Sequence, residues 1–316
     1  MTAEVDVRNP SPQTSFSFLL NVRSLPAERV VVAPGHELRR ATPTEVARIR
    51  TCLDKLTVAA FVQNRLFWEE QWPRPDGDVR ILPEAEWRYF VIAYDGTNTT
   101  MAVLEVAFDL LPSELEVGFS ILNARGAGGI VWNGPRLFHV LDNGIRDPSF
   151  CIDVTTSDVD LLARFYPHLC EADEARAHIR RQAARLGHLK CLPHDSPLRF
   201  LGYFAILEGL LTHNPKPGDP HDSITRQVNS KVALLNNRWQ SKLDYSAFGG
   251  AMPATIWKKM YAYRSEVAHG GEPQFKGELA CLGSATSALN LLKATVKSVL
   301  RYGLEDPQLL RDLRSC

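Results

Sequence analysis

The stretch Tyr261-Ala-Tyr-Arg264-Ser-Glu-Val-Ala-His269-Gly-Gly271 lies near the end of this 316-residue chain and decides how its C-terminal half is interpreted. Apolar side chains recur through it at spacings of four, three and four, which predicts a helix with one buried face. Two glycines predict the end of that helix. The recurring apolar residues are Ile256, Met260, Tyr263 and Val267.

Arg264 and His269 are the candidate catalytic residues of this stretch. Arginine keeps its charge and histidine titrates near neutral pH, so together they supply what metal-free phosphodiester cleavage requires. On an ideal helix, a five-residue step places the two side chains about 140° apart. They meet only if the last turn loosens or if a second copy of the chain contributes one of them. By spacing alone, a structural ion pair for Arg264 and a helix cap for His269 are the commoner roles.

The chain from residue 151 to residue 316 predicts an all-α bundle. Helix-start signals and helical spacing of apolar residues recur along it. The predicted helices begin at Ser157, 172, Ser196, Asp222 and Pro253, and a long terminal helix covers 279–302.

Residues 1–150 predict a separate α+β domain with a recognition or regulatory role. Thr42, Pro43 and Glu45 form a capping box that starts a helix running to about Trp68. Aromatic and β-branched residues predict several strands. These comprise Val30–Val32, a β-hairpin formed by 87–94 and 101–108, and a strand over 115–121, followed by a glycine-rich loop at 126–129.

Composition favours a cytoplasmic protein that does not span a membrane. No apolar run approaches the roughly 20 residues of a membrane span, and the N-terminus has no secretory signal pattern. The six cysteines are scattered without a disulfide framework. Net charge is zero overall, but residues 196–316 contain fifteen Lys and Arg against ten Asp and Glu. This excess of positive charge favours a polyanionic partner for the C-terminal part.

Three segments in the C-terminal half resemble one known family. They are Ile206–Leu211 with its Glu208, Ser223–Leu235 with its Arg226, and Tyr263–Gly270 with the Arg-x4-His spacing. In this order they resemble the Apea-like branch of the HEPN superfamily, which consists of small helical bundles. The resemblance covers roughly residues 196–303.

The resemblance implies a metal-independent endoribonuclease that needs no cofactor. The RNA 2′-hydroxyl attacks the adjacent phosphate and leaves a 2′,3′-cyclic phosphate and a 5′-hydroxyl. His269 is then the proton-transfer residue, and Arg264 stabilises the charge of the phosphorane. The family also implies a homodimer that joins its motif helices in one cleft, and a role as a toxin or antiviral (anti-phage) effector in abortive infection.

Several further residues are candidates for supporting this site. Glu208 either pairs with Arg264 or Arg226 or is a solvated carboxylate. Ser265 and Tyr263 are candidate supporting residues beside the catalytic arginine. The cations Arg226, Lys231, Arg238, Lys258 and Lys259 are candidates for an RNA path, and Tyr261, Tyr263 and Trp239 for base stacking. For each of these, a solvated surface cation or a core aromatic residue is the alternative.

Two other functions remain open. The first is a catalytically inactive HEPN bundle that serves as a dimerisation or ligand-binding module. The second is a zinc-stabilised nucleic-acid binder that uses His168, Cys170, Cys191 and His194. A helix of about 25 Å is predicted between the two pairs and would hold them apart. The glycines at 126–129 lack the lysine and the helix of a phosphate-binding loop.

Overall fold

The structure is a computed structural model that describes residues 15–55, 66–71, 80–95, 98–124, 127–133, 150–193, 196–215 and 223–316. The chain forms two compact units, Met1–Tyr166 and Pro167–Cys316. The boundary falls later than residue 150, inside a helix that the sequence had assigned to the second domain. An α+β unit followed by a helical unit is the predicted order.

The first unit is built around an antiparallel sheet. The strands of this unit are β1 (Ser15–Leu19), β2 (Val22–Ser24), β3 (Arg29–Ala33), β4 (His36–Arg40), β5 (Glu70–Gln71), β6 (Arg80–Ile81), β7 (Phe90–Tyr94), β8 (Val117–Ala124), β9 (Ala127–Trp132) and β10 (Ile152–Asp153). Its helices are α1 (Pro43–Lys55), α2 (Leu66–Glu69), α3 (Asn98–Leu110) and the first part of α4 (Thr156–Cys170). Six strands form the main sheet in the order β3-β4-β7-β1-β8-β9.

One face of this sheet packs on α1. Phe18 lies at its centre, with ring centroids 5.1 Å from Trp68, 5.8 Å from Tyr89 and 5.4 Å from Phe119. The opposite face is covered as well, because every residue of β1 and β7 is buried. The hydrophobic cluster around Phe18, on the α1 side of the sheet, also contains Phe16, Leu20, Ile49, Cys52, Leu53, Val91 and Ile121.

The predicted capping box is confirmed at the start of α1. The Thr42 amide donates to Glu45 Oε2 at 2.7 Å, and the Glu45 amide donates to Thr42 Oγ1 at 3.3 Å. Arg39, from β4, adds a bidentate pair to the same carboxylate at 2.7 and 2.9 Å. Helix start and sheet are therefore joined by one buried ion pair.

Two predictions for the first unit are wrong. The second strand of the predicted hairpin is α3, because its large apolar residues recur at helical spacing and bury Met101, Leu104 and Phe108 together. β7 pairs instead with β1 and β4. Of the stretch at 126–129, predicted to be a loop, residues 127–129 belong to β9, which pairs with β8, and residue 126 lies outside the described residues. Part of the helix predicted to reach Trp68 lies outside the described residues.

The second unit is helical. After the end of α4 it contains α5 (Glu174–Leu189), α6 (Pro197–Leu211), α7 (Ile224–Arg238), α8 (Pro253–Ala268), α9 (Ala285–Glu305) and α10 (Pro307–Ser315). The long terminal helix predicted over 279–302 begins later than expected. A short 3-10 turn ends at Gly283, whose φ of 69° breaks the helical path, and Ser284 caps α9.

Helix α6 is the central helix of this unit, because it packs against α5, α7, α8, α9 and α10. Two glycines let α5 approach it closely. A Cβ at Gly202 would lie 2.2 Å from Leu189 Cδ2, and one at Gly209 would lie 2.9 Å from Gln182 Nε2. Among the described residues, none of the helices combines the length and apolar character needed to cross a bilayer.

We predict that Glu45→Gln lowers the free energy of unfolding of the first unit by about 3 kcal/mol at neutral pH, because it leaves Arg39 charged and buried. Burial raises the pKa of Glu45, but the hydrogen bonds from Arg39 and Thr42 outweigh it, so the net shift is downward. A lowered native pKa stabilises the fold above the unfolded pKa, and this contribution is lost as pH falls through the folded pKa. Urea unfolding should show that the free energies of unfolding of wild type and Glu45→Gln approach each other as the pH falls from neutral to acid.

The matched control is Glu37→Gln. Glu37 also contacts Arg39, at 3.4 Å, but its side chain is 32% exposed. Its removal should cost less than about 1 kcal/mol. Equal costs for the two substitutions would contradict the assignment of the stabilising pair to Glu45.

Candidate active site on helix α8

Helix α8 stays regular to its last residue. The His269 amide still donates to the Ser265 carbonyl at 3.1 Å, as in a continuing helix. Gly270 then adopts a φ of 77°, and the Gly271 amide donates to the Glu266 carbonyl at 2.9 Å. Together with the 3.1 Å bond from the Gly270 amide to the Val267 carbonyl, these bonds form a Schellman cap. The first of the two predicted routes, a loosened last turn, is not what this chain adopts.

Arg264 and His269 therefore lie on different faces of α8. Arg264 shares its face with Tyr261, whose ring centroid is 5.7 Å from the guanidinium carbon. His269 shares its face with Ser265, one turn earlier, and both line a separate hollow. In a single copy of the chain the arginine and the histidine do not form one site.

Arg264 is oriented by a carboxylate from the central helix. Its Nη2 donates to Glu208 Oε2 at 3.2 Å, which confirms the predicted pairing of Glu208 with Arg264. The side chains are 31% and 16% exposed, respectively, so the pair is only partly shielded from solvent. Glu208 Oε1 is buried and has no hydrogen-bond partner among the described residues. The other predicted partner, Arg226, is exposed on α7.

The His269 face is open. The imidazole is exposed at the end of the helix and lines a hollow of about 490 Å³. The charged residues that line the hollow include both acids and a lysine, so the hollow does not favour a ligand of one charge over the other. The residues that line it are Ala262, Ser265, Glu266, His269, Gln274, Lys276, Glu278 and Leu279.

Tyr263 is a core residue. It is 3% exposed and packs between Phe200 and Phe275, with ring centroids at 4.2 and 5.1 Å. Burial raises the pKa of its hydroxyl. Trp239 is also buried, so the expectation that these two rings are available for base stacking is wrong. Tyr263 recurs at helical spacing with Ile256 and Met260 because all three are packed in the core.

The expected RNA path is not continuous. Lys231 is 7% exposed, and its ammonium donates to the Leu211 carbonyl at 2.9 Å, so it caps α6 rather than facing solvent. Lys259 pairs with Glu278 at 2.8 Å. Lys258 and Arg238 are exposed. The prediction that Lys231 contacts RNA is therefore wrong, because its amine replaces water at the buried end of a helix.

A groove on the other side of Glu208 was missed by the sequence reasoning. Its basic residues are His213, Arg311 and Arg314, and its volume is about 590 Å³. The two arginines lie on α10, beyond the predicted terminal helix. A capping Asp306 followed by Pro307 was the signal that a further helix begins there.

The zinc alternative is only partly described. Cys170 and Cys191 lie beyond opposite ends of α5 and are exposed, and His194 is outside the described residues. Within the described ranges, no three His, Cys, Asp or Glu side chains are grouped closely enough to hold a metal ion.

The sequence matches no protein-family profile, and comparison with curated proteins and with solved structures likewise gives no match.

We predict that Lys231→Met lowers the free energy of unfolding by about 1–3 kcal/mol, because the Leu211 carbonyl loses its buried donor. RNA affinity should stay unchanged. Urea unfolding and an RNA-binding titration check the two parts. The control is Lys258→Met on the exposed surface, which should change stability by less than about 0.5 kcal/mol. Weaker RNA binding by a Lys231→Met protein of unchanged stability would contradict this prediction and indicate that Lys231 contacts RNA.

Proposed function

We propose that this protein is a metal-independent endoribonuclease of the HEPN type, with Arg264 and His269 as its catalytic residues. The observation that carries the proposal is the oriented guanidinium of Arg264. Glu208 accepts from one of its nitrogens, and no other hydrogen bond of this side chain is found among the described residues. The remaining donors of the planar fork suit the oxygens of a phosphate.

The proposed reaction is an internal transesterification. The RNA 2′-oxygen forms a bond to phosphorus while its proton leaves, and the bond from phosphorus to the 5′-oxygen breaks. The leaving oxygen takes up a proton, so the products are a 2′,3′-cyclic phosphate and a 5′-hydroxyl. His269 transfers protons, and Arg264 stabilises the negative charge on the equatorial oxygens.

Two copies of the chain are needed in this proposal. Arg264 and His269 point from different faces of a helix that is regular to its end. Each active site therefore combines Arg264 of one copy with His269 of the other. Packing of α8 against α8 of a second copy with twofold symmetry would create two such pairs. Ser265 lies on the His269 face, where its hydroxyl is available to substrate.

The first unit is proposed as the recognition or regulatory part, which senses a trigger or a partner protein. Cleavage of cellular or viral RNA by a toxin or defence effector in the cytoplasm fits the family that the C-terminal segments resemble. This biological role rests on that resemblance alone.

A catalytically silent HEPN module, acting in dimerisation or ligand binding, is the second candidate. The observation that favours it is the same Arg264–Glu208 pair, because a carboxylate on the guanidinium reduces the positive charge offered to a phosphate. The pair would then be a structural link between α6 and α8.

We predict that the protein cleaves RNA in excess EDTA and that Arg264→Ala and His269→Ala each abolish cleavage. A mixture of the two inactive variants, unfolded and refolded together, should recover about a quarter of wild-type activity. Half of randomly assembled dimers are mixed, and each mixed dimer keeps one of its two Arg–His pairs. The 2′,3′-cyclic phosphate is identified by a 3′ end that resists ligation and periodate oxidation, and the 5′-hydroxyl by kinase labelling without prior dephosphorylation.

The control is the double variant Arg264→Ala/His269→Ala refolded with wild type, in which no mixed dimer keeps a hybrid pair. This mixture should show only the activity of its wild-type dimers. Intact RNA with every protein would favour the silent module. Cleavage that the refolded mixture fails to recover, with dimers formed, would contradict a site shared between two chains.

A further inference from the structure

The groove beside Glu208 is concave and polar. It lies between the end of α6, the start of α7 and α10. Its polar lining consists of Glu208, Thr212, His213, Asn214, Arg311, Arg314 and Ser315. The side chains of this set offer hydrogen-bond donors and two fixed positive charges.

The groove adjoins the proposed catalytic arginine through one residue. Glu208 lines the groove and also accepts from Arg264 at 3.2 Å. Glu208 is therefore shared by the groove and by the ion pair with Arg264. The expected path over α7 and α8 has no comparable connection, because Lys231 is buried within it.

The two arginines of α10 are available for a ligand. Both are exposed, and neither has a hydrogen bond or ion pair among the described residues. The neighbouring acid on the helix, Asp312, accepts from Gln308 at 2.7 Å. The acid within the groove, Glu208, is already engaged by Arg264.

The positive charge extends beyond the groove onto α5. Burial lowers the pKa of His178, the hydrogen bond to the Gly209 carbonyl opposes this, and the charges of Arg314, Arg181 and Arg185 lower it further. Arg181 and Arg185 are exposed on α5. Glu174 is the acid that lines the adjoining cleft with Arg311 and Arg314. Two arginines and one acid therefore line this cleft.

Helix α10 is held firmly enough to place its arginines. Leu310 is 3% exposed and packs where a glycine leaves room. A Cβ at Gly303 would lie 2.2 Å from Leu310 Cδ1. The arginines follow Leu310 at positions 311 and 314, three residues apart, and neighbours at that spacing lie on one helix face.

We propose that the groove along α10 binds the phosphate backbone of single-stranded RNA through Arg311 and Arg314 and leads it to Arg264. This inference rests on the proposed ribonuclease function and names the surface by which the substrate enters. Arginine forks match phosphate oxygens, and binding through phosphates alone is independent of sequence. The contacts are electrostatic, so salt weakens them.

The test measures RNA binding without cleavage. Fluorescence anisotropy follows a labelled single-stranded RNA titrated with the full-length His269→Ala protein, with and without Arg311→Gln/Arg314→Gln. The double variant should bind roughly tenfold to a hundredfold more weakly, and its salt slope should shrink by roughly 1.4 for two lost phosphate contacts. Arg311→Lys/Arg314→Lys, which keeps both charges, should restore most of the binding. Circular dichroism and thermal unfolding verify that the variants are folded.

The matched control is Arg238→Gln/Lys258→Gln in the same background, which removes two exposed positive charges from α7 and α8. It should change RNA affinity by less than about threefold, as expected for loss of long-range attraction alone. Equal losses of RNA affinity in the two double variants, or no loss in either, would contradict RNA binding in the groove. Arginine-dependent binding of polyglutamate with no binding of RNA would do so as well.

Failure of the groove and failure of the ribonuclease proposal give different results. If RNA stays intact with every protein but RNA binding depends on Arg311 and Arg314, the result supports RNA binding in the groove and contradicts the catalytic proposal. If wild type cleaves RNA while Arg311→Gln/Arg314→Gln binds and cleaves like it, the catalytic proposal stands and the groove falls.

Discussion

A carboxylate inside an apolar helix constrains the C-terminal unit more than any other group. Glu208 lies on α6, the helix that packs against five others, where an unpaired charge would be costly. Arg264 provides the partner, and this ion pair adds to the aromatic contacts Phe200–Tyr263 and Phe204–Tyr261 that join the central helix to α8. The same pair orients the guanidinium that we assign to catalysis and borders the groove that we assign to RNA.

The regular end of α8 has a consequence for how such a site is assembled. The Schellman cap satisfies the last carbonyls of the helix and fixes His269 in helical register. Arg264 and His269 then remain on separate faces, and the ribonuclease that we propose therefore requires a second copy of the chain. In that proposal catalysis depends on the association of two copies, and the proposed regulatory role of the first unit would act on this association.

The two units use buried charge in the same way. In the first, Arg39 and Glu45 join a strand to the start of a helix. In the second, Arg264 and Glu208 join two helices. The first pair is nearly excluded from solvent and is matched by two hydrogen bonds, which suits a structural role. The second is partly exposed and leaves donors free, which suits a role in binding.

The sequence by itself determined the features that depend on neighbouring residues. The Thr42–Glu45 capping box, the Pro253 start of α8 and its double-glycine end are local, so spacing and residue type were sufficient. Tertiary structure decided the rest. The segment 101–108 is rich in residues that also favour strands, and burial of Met101, Leu104 and Phe108 on one face decided for the helix. Lys231 and Tyr263 belong to the core because α6 and its neighbours cover them. Arg311 lies beside Glu208 because α10 folds back over Gly303, and no pattern along the chain encodes that proximity.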